Sequence, residues 1–325
     1  MQAQAPKRTL TAMSARNQPD EPLVAVVIPC LNEEAAIATV VKDFHRALPS
    51  AHVYVFDNGS TDSTVAVAVA AGAEIRHVTQ RGKGQVVRRM FADVEADVYV
   101  LVDGDDTYDA SAAPALVQSL VLGGLDMVVA SRGAEEAAAY RRGHRLGNRL
   151  FNAFIAWLFG RAFSDVFSGY RVFSRRFVKS FPALASGFEI ETELTIHALE
   201  LRMPVDEVGA SYKPRPAGSE SKLRTYRDGM RILWTIARLF QRERPFQFFG
   251  IVSLVLASIS LGIAFPLLVT YLETGLVPRF PTAILASGTM LLAALSAACG
   301  VILDTVTLSR QEMKRLAYLN VAKRQ

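Results

Sequence analysis

Two carboxylates follow a hydrophobic run in the first half of the chain. The run Val98–Val102 is followed directly by Asp103, Gly104 and Asp105. The glycine between them allows a sharp turn, so both carboxylates can face the same point. Carboxylate oxygens suit a hard divalent cation that also binds a diphosphate and keeps some of its waters, and such a cation neutralises charge on a leaving diphosphate. Acidic turns after strands are common, so this segment taken by itself is also compatible with an ordinary polar turn that binds no metal.

Polar residues also follow the earlier strand candidates. Asn32 and Glu33 come shortly after the candidate strand Val24–Ile28, and Asp57 comes directly after Val53–Phe56. In a parallel sheet, ligands bind beyond the carboxyl ends of the strands. The pattern therefore predicts that these side chains lie at the same edge of a sheet as the two carboxylates described above.

A basic residue flanked by glycines precedes a helical stretch. Lys83 lies between Gly82 and Gly84. A base at the start of a helix suits a phosphate or a carboxylate, because the first backbone N–H groups of a helix also favour negative charge. A simple turn with a helix cap would give the same pattern, and this alternative stays open for the segment taken alone.

Short β-rich runs alternate with helical stretches through the first half of the chain. The strands are predicted over Val24–Ile28, Val53–Phe56, Ile75–Val78, Val98–Val102 and Asp126–Ala130, and the helices over Glu33–Ala47, Ser63–Ala71 and Gly84–Val94. This alternation predicts an α/β domain with a mostly parallel sheet that helices cover on both faces.

The composition excludes several classes of protein. Half of the 325 residues are hydrophobic and 21% are charged, which excludes a disordered or solvating chain. The two cysteines, Cys30 and Cys299, lie far apart in different surroundings, which excludes a disulfide framework. The five scattered histidines have no cysteine partner at ligand spacing, which argues against structural zinc.

Basic residues concentrate late in the chain. Residues 1–221 carry 23 Lys and Arg against 26 Asp and Glu, whereas residues 222–244 carry seven against two. Five further bases follow residue 304, and the whole chain has a net charge of +5. The two basic blocks enclose long apolar segments, so they indicate contact with anionic lipid headgroups and argue against a nucleic-acid partner.

Two long segments lack charged side chains. Residues 246–272 and residues 280–303 contain no Asp, Glu, Lys, Arg or His; their only ionisable side chains are Tyr271 in the first and Cys299 in the second. At 1.5 Å per residue in a helix, each exceeds the ~30 Å of a bilayer core. Because the bases flank the outer ends of this hairpin, both ends are expected in the cytoplasm. A pair of buried core helices is the alternative.

The segment before the hairpin alternates bases with apolar residues. This pattern over residues 222–245 predicts an interfacial amphipathic helix, although a helix packed on the soluble domain would look the same. The predicted organisation is a flexible leader over 1–22, a catalytic domain over 23–221, the interfacial helix over 222–245, a transmembrane hairpin over 246–308 and a basic cytoplasmic tail over 309–325.

Taken together, in this order and spacing, the segments over about residues 23–215 resemble the family 2 glycosyltransferases, which have the GT-A nucleotide-sugar-binding fold. Within that family, the chain is most similar to the dolichyl- and polyprenyl-phosphate sugar synthases. This closer resemblance depends on Asp165, the motif Ser168–Arg171 and the stretch Gly218–Leu223.

The resemblance implies roles for individual residues. The residues that it places in the nucleotide-sugar pocket are Pro29, Asn32, Glu33, Asp57, Lys83 and Asp103, and those that it places in catalysis are Asp105, Arg132, Arg171 and Lys222. Asp103 and Asp105 would manage Mg²⁺ or Mn²⁺ together with the diphosphate, and Arg132 would face the acceptor phosphate. The acids Glu189–Glu193 fit a family position near the active-site mouth, although a helix N-terminus also favours acids.

Two departures from the family pattern concern sugar choice. Thr107 stands where the family often has Gln, and the pair Cys30-Leu31 stands where a small or aromatic pair is usual.

The Gln-x-x-Arg-Trp element of the processive polysaccharide synthases is absent from the sequence. Its absence argues for transfer of a single sugar.

The sequence therefore predicts an inverting, metal-dependent enzyme of the plasma membrane. It would transfer one sugar from a nucleotide-diphosphate sugar to a polyprenyl phosphate at the cytoplasmic face. The family resemblance favours a UDP-sugar over a GDP-sugar as the donor. A phosphate monoester needs no strong protein base, because its second pKa is about 6. Two alternatives stay open: a hydroxyl acceptor, which would need a base such as Asp165 or one of Glu189–Glu193, and a non-catalytic scaffold. A homo-oligomer is also open.

Overall fold

A computed structural model describes residues 21–132, 142–160, 163, 165–185, 187, 189–213 and 236–322 of the chain, and only the backbone of residues 132 and 142–150. Most of the predicted leader and most of the predicted interfacial helix lie outside the described residues, as do Lys222 and the stretch Gly218–Leu223. The described end of the interfacial segment is helical over residues 236–243, and the helix is interrupted at Arg244.

Seven strands form one sheet in the described part of the chain. They are β1 (Val24–Cys30), β2 (His52–Asp57), β3 (Glu74–His77), β4 (Val98–Leu101), β5 (Met127–Arg132), β6 (Arg171–Ser174) and β7 (Val205–Ala210). Their order is β3-β2-β1-β4-β6-β5-β7. All neighbours are parallel except those of β6, which runs antiparallel to both β4 and β5. The prediction of an α/β domain with a mostly parallel sheet is confirmed.

Nine α-helices accompany the sheet within the described residues, besides the helix over residues 236–243. They are α1 (Ile37–Ala47), α2 (Thr64–Ala70), α3 (Lys83–Asp93), α4 (Ala113–Leu122), α5 (Arg142–Phe159), α6 (Arg175–Ser180), α7 (Ile190–Glu200), α8 (Pro245–Thr274) and α9 (Phe280–Asn320). A short 3₁₀ helix, Ala110–Ala112, precedes α4. The first five strands and first three helices match the predicted ones to within a few residues, and only α1 begins notably later than predicted.

Two hydrophobic cores lie on the two faces of the sheet. Alternate residues of β1 belong to different cores: Ala25 and Val27 to one, and Val26 and Ile28 to the other. A strand that is buried on both faces must be apolar throughout, which explains why β1 and β4 have unbroken hydrophobic sequences.

The antiparallel strand β6 brings a distant motif to the functional edge of the sheet. Its first residue, Arg171, is paired with Leu101, the last residue of β4. Because β6 runs against its neighbours, the motif Ser168–Arg171 arrives at the edge where the parallel strands end. The sequence did not predict this strand, since its four residues include Arg171 and Ser174 and show no strand periodicity.

Helices α8 and α9 form an antiparallel hairpin that is long and apolar enough to cross a membrane by length and composition. Only 6% of the apolar window of α8 and 17% of that of α9 are buried, so the alternative of two core helices does not hold. Small residues face α8 at every seventh position of α9, namely Ala286, Ala293 and Gly300. Small residues allow close approach of helices.

Serine hydroxyls reinforce this close packing. Ser260 Oγ donates to the backbone oxygen of Ala286 at 2.7 Å, and Ser253 Oγ donates to that of Ala293 at 2.8 Å. A Cβ added to Gly300 would lie 3.1 Å from Phe249 Cβ, so the helix backbones are close at this point as well. Hydrogen bonds between helices are a common means of association in lipid.

Helix α9 continues far beyond the predicted second span, through to Asn320. We call residues 304–320 the α9 extension. It packs against α6 of the α/β domain. Its bases Arg310 and Lys314 lie against Glu243 and Glu200, at 3.3 and 2.5 Å. The expectation that these two bases contact lipid headgroups is therefore corrected: they are paired within the chain.

The stability of the domain should decrease in mild acid because of His197 in α7. Burial and then the charge of Lys314 lower the pKa of His197 to about 3. Between its ordinary pKa of about 6.5 and the folded value, only the unfolded chain binds a proton at this imidazole. We expect this residue to remove about 1.4 kcal/mol of unfolding free energy by pH 5.5. His197→Leu should abolish that contribution in unfolding curves measured between pH 7.5 and 5.5.

The matched control is His52→Leu, at an exposed position of β2. It should keep the wild-type pH dependence. Parallel pH profiles of wild type and His197→Leu would contradict the assignment.

Candidate active site

Four predicted site carboxylates surround the end of β1. Cys30, the last residue of that strand, is paired in register with Asp57 of β2. The pKa of the buried Cys30 thiol is raised well above its ordinary value, first by burial and then by the charges of Glu33, Asp103, Asp57 and Asp105. Residues from three loops of the sequence are therefore brought together at one edge of the sheet, as the pattern predicted.

Two glycines allow the loops around Asp103 to approach this point. A Cβ added to Gly104 would lie 2.6 Å from Cys30 Sγ, and one added to Gly169 would lie 2.3 Å from Asp103 Oδ2. Both separations are too short for real atoms. The loop after β4 therefore needs glycine to pass β1, and the motif before β6 needs glycine to pass the Asp103 carboxylate.

Lys83 lies between two carboxylates. Its Nζ is 2.5 Å from Asp103 Oδ1 and 2.6 Å from Glu191 Oε1, and its side chain is 11% exposed. Burial alone would lower the pKa of Lys83, but the two carboxylates outweigh burial and raise the pKa well above its ordinary value. The ammonium is therefore charged at physiological pH and provides a fixed cation beside Asp103.

Glu191 is a site residue whose role the sequence left undecided between the active-site mouth and a helix N-terminus. Its side chain is buried in the first turn of α7, and its Oε2 has no hydrogen-bond partner among the described residues. The neighbouring Glu193 instead accepts from the backbone N–H groups of Leu184 and Ala185, at 3.1 and 2.7 Å. Of these two acids, only Glu191 contacts Lys83.

Thr107 orients the second carboxylate of the Asp-Gly-Asp motif. Its Oγ1 donates to Asp105 Oδ1 at 2.6 Å, and its backbone N–H donates to the same oxygen at 3.3 Å. Asp105 is itself buried. The residue at which the sequence departs from the family pattern is thus a direct support of Asp105.

The loops after β1 and β2 are connected through their polar side chains. Asp57 accepts from the N–H groups of Gly59 at 3.2 Å and Ser60 at 3.0 Å. Burial would raise the pKa of Asp57, but these and its other hydrogen bonds lower it overall. Asn32, with a positive φ of 55°, accepts from the N–H of Thr61 at 2.8 Å. The two residues fix the shape of the edge at which a nucleotide is predicted.

Asn58 is a structural residue that the sequence reasoning did not assign. Its Nδ2 donates to the backbone oxygens of Val78 and Gln80, at 3.0 and 2.7 Å, and its Oδ1 accepts from the N–H of Gly82 at 2.8 Å. The amide therefore fixes the loop that delivers Lys83. Its position directly after Asp57 at the end of β2 was the available signal.

Arg171 lies in the interior of the domain. Its side chain is fully buried and donates to the backbone oxygens of Ser168 at 2.9 Å and Val166 at 2.6 Å, and to Thr195 Oγ1 at 2.8 Å. Burial lowers the pKa of Arg171, whereas the charge of Glu191 raises it. These contacts are those of a positioning residue that holds the loop beside Asp103. They do not place the guanidinium toward an acceptor.

Of the remaining predicted site residues, two lie in described strands and one lies outside the described part of the chain. Pro29 lies in β1 beside Phe56 of β2, one residue before the end of both strands. Arg132 is the last residue of β5, at the carboxyl edge, and is paired with Ala210 through the backbone. Lys222 lies outside the described residues.

The carboxylates of Asp103 and Asp105 fit a divalent cation whose remaining ligands come from the substrate and from water. Among the described residues, no three His, Cys, Asp or Glu side chains are grouped to hold a metal. Asp103 and Asp105 would provide hard oxygen ligands, and phosphate oxygens and waters would complete the shell, as is usual for Mg²⁺ at phosphate sites. Two acids at this edge suffice for such a site, and Lys83 would balance their charge.

Comparisons with known proteins agree with this geometry. The family described as Glycosyl transferase family 2 matches residues 25–181. Glycosyltransferase AglJ from Haloferax volcanii is 32% identical over 304 residues, which cover 93% of this chain and 99% of that protein. A dolichyl-phosphate hexose transferase from the same organism is 28% identical over 221 residues, or 68% of this chain and 95% of that protein.

A solved structure shares the fold. The glucosyl-3-phosphoglycerate synthase from Mycobacterium tuberculosis, in complex with Mn²⁺, uridine-diphosphate-glucose and phosphoglyceric acid, has a TM-score of 0.54 and 26% sequence identity. The match covers 68% of this chain and 80% of that one. The GT-A fold inferred from the sequence is thereby confirmed. With a relative of 32% identity that is matched over nearly its whole length, this chain belongs to glycosyltransferase family 2.

Proposed function

We propose that this glycosyltransferase is anchored in the plasma membrane and transfers a single sugar from a nucleotide diphosphate to a polyprenyl phosphate at the cytoplasmic face. The observation that carries the proposal is that one chain combines the Lys83–Asp103 site with an exposed apolar hairpin, α8–α9. A lipid-linked phosphate resides at the headgroup level, so an enzyme that uses it must work next to the bilayer.

The donor side of the reaction follows from the sheet edge. Asp103 and Asp105 would hold Mg²⁺ or Mn²⁺, which neutralises charge on the leaving diphosphate when it is bound. Lys83 would contribute a second cation to the diphosphate, and Asn32, Glu33, Asp57 and Pro29 would line the nucleotide end. A uridine nucleotide is favoured, because the solved relative described above was crystallised with uridine-diphosphate-glucose.

The acceptor side needs positioning more than acid–base chemistry. A phosphate monoester is largely dianionic near neutral pH, with a second pKa of about 6. One of its oxygens would attack the anomeric carbon as the bond from that carbon to the diphosphate oxygen breaks, with inversion. Arg132 and Lys222 are the proposed cations for the acceptor phosphate, and Arg171 would act by positioning the loop beside Asp103. Alignment of two anionic groups is the main task of such a site.

The proposed membrane arrangement has two spans and both termini in the cytoplasm. Bases flank the outer ends of the hairpin and not its turn, which favours this orientation. The similarity to a dolichyl-phosphate hexose transferase supports a lipid-linked acceptor. The described helix 236–243 and the preceding basic segment would lie at the membrane surface.

One prediction from the proposed function concerns the metal and the acceptor. Purified enzyme with polyprenyl phosphate and a UDP-sugar should form a product that extracts into organic solvent. EDTA should stop the reaction, and Asp105→Ala should reduce turnover by roughly 100-fold, since a preorganised charge in the site is lost. The readout is radioactive sugar in the lipid phase.

The control for this substitution is Asp93→Ala, which removes the carboxylate of a surface pair with Arg89 and should keep full turnover. Metal-independent turnover would contradict the assignment of Asp103 and Asp105. A product that stays in water, formed on a hydroxyl acceptor, would contradict the lipid acceptor.

A further prediction tests the close approach of the Gly169 loop, just before β6, to Asp103. Gly169→Ala would place a methyl group against Asp103 Oδ2 and displace the carboxylate from Lys83. We expect kcat/KM to fall by up to ~100-fold, the effect of a misplacement of about 1 Å in a catalytic group.

Gly209→Ala is the matched control, because a Cβ at that position would meet no atom within 4 Å. Both variants should keep the wild-type circular dichroism spectrum. Equal activity of the two variants would show that the position of Asp103 is not critical.

A further inference from the structure

The second membrane helix does not end at the proposed membrane surface. Helix α9 continues to Asn320, 17 residues past Leu303, where its apolar sequence stops. A helical segment of this length extends about 25 Å. The α9 extension is therefore long enough to reach across much of the catalytic domain, and it carries polar contacts to that domain along its length.

The nearest of these contacts continues the packing of the hairpin. Thr307 Oγ1 donates to the backbone oxygen of Leu303 in its own helix at 2.9 Å and lies 3.3 Å from the backbone oxygen of Arg242. One turn further along, Arg310 Nη2 lies 3.3 Å from Glu243 Oε1, and the Glu243 side chain is only 3% exposed. The extension is thus fixed to the end of helix 236–243, directly before α8 begins.

The second contact joins the extension to the catalytic domain itself. Lys314 Nζ lies 2.5 Å from Glu200 Oε2, and the two side chains are 12% and 0% exposed. Loss of one partner of a buried pair leaves the other charge without compensation, so such a contact resists separation more than a surface ion pair does.

The third contact lies at the far end of the extension. Tyr318 Oη donates to Asp126 Oδ2 at 2.8 Å, and the guanidinium of Arg176 lies over the Tyr318 ring at 5.0 Å from its centre. Asp126 directly precedes β5 and so lies at the amino edge of the sheet, opposite the candidate active site. The extension is therefore attached to the domain at points that are well separated along its axis.

Glu200 has a particular place in the fold. It is the last residue of α7, whose second residue, Glu191, contacts Lys83 in the candidate site. The two acids are nine positions apart along the helix, or about 13.5 Å. Most of α7 is buried within the domain. One rigid element thus connects the contact with the membrane helix to the side chain beside Asp103.

We propose that the Lys314–Glu200 contact sets the height and orientation of the active site above the bilayer, and that Lys314 and Glu200 are positioning residues for a lipid-embedded acceptor. This inference rests on the proposed function. Without the contact, the catalytic domain would still fold and bind its donor, because α7 is held by its own core. The domain would, however, be held to the extension only near its two ends, at Arg310 and at Tyr318. Its tilt on the hairpin would then change, and an acceptor phosphate fixed at headgroup level would meet the site less often.

The test compares two acceptors. Lys314→Glu places a carboxylate against Glu200 and should force the contact apart. With a long-chain polyprenyl phosphate in vesicles, we expect kcat/KM for the acceptor to fall ~10-fold or more. With a short-chain, water-soluble prenyl phosphate in detergent, the change should stay within about twofold, since that acceptor can diffuse to the site. The KM for the nucleotide sugar should not change.

Two further variants separate positioning from folding. Arg315→Glu makes the same change of charge at the next, exposed residue and should behave as wild type with both acceptors. Glu200→Lys combined with Lys314→Glu restores an ion pair of reversed sign and should recover transfer in vesicles. If Lys314→Glu does not fold, Lys314→Met gives the same comparison with a milder change.

Equal losses with both acceptors would show that Lys314 only stabilises the fold and would overturn the proposal, as would no loss with either. If the wild type uses neither acceptor, the proposed function fails instead.

The orientation of the domain is in that case measured by energy transfer. The donor dye is attached at Leu122→Cys in a Cys299→Ser background, and the acceptor dye is on a lipid headgroup. Lys314→Glu should alter the transfer efficiency, and an unchanged efficiency would overturn the proposal.

Discussion

The arrangement of the active-site edge depends on one buried cation between two carboxylates. Lys83 neutralises Asp103 and Glu191 at distances near 2.5 Å. Without it, the acids that gather around the end of β1 would repel one another in a partly buried setting, which costs more than it would in water. The surrounding structure serves this ammonium: Asn58 fixes the loop that leads to it, and α7 delivers the second acid.

The antiparallel strand β6 explains how distant segments meet at that edge. It brings Gly169 against Asp103, and the buried Arg171 fixes the preceding loop through backbone oxygens. The loop that precedes a parallel strand lies at the opposite edge of the sheet, because every parallel strand begins there. Only a reversed strand can bring the loop before it to the carboxyl edge, where Asp103 lies. A single reversed strand in an otherwise parallel array thus supplies the wall of the pocket beside the acidic motif.

The sequence predicted the local elements and the clustering of acids better than it predicted what individual side chains do. Strong hydrophobic runs such as β1 and β4 indicated their strands, and polar residues after them indicated the edge. An arginine in a sequence can face either a ligand or the protein interior, and its residue type does not distinguish the two. Only the packing shows that Arg171 is buried. The contact of Lys314 with Glu200 joins residues 114 positions apart, and no local pattern signals such a pairing.

The seven-residue spacing of small side chains on α9 runs past the apolar segment of that helix. It continues from Ala286 through Gly300 to Thr307, where the hydroxyl contacts the backbone at Arg242. A helix turns by about 100° per residue, so one inserted residue between Gly300 and Lys314 would rotate every later contact away from its partner. Natural variation in the length of this helix is therefore expected in whole heptads, because only such steps keep the contacts of α9 with α8 and with the α/β domain in register.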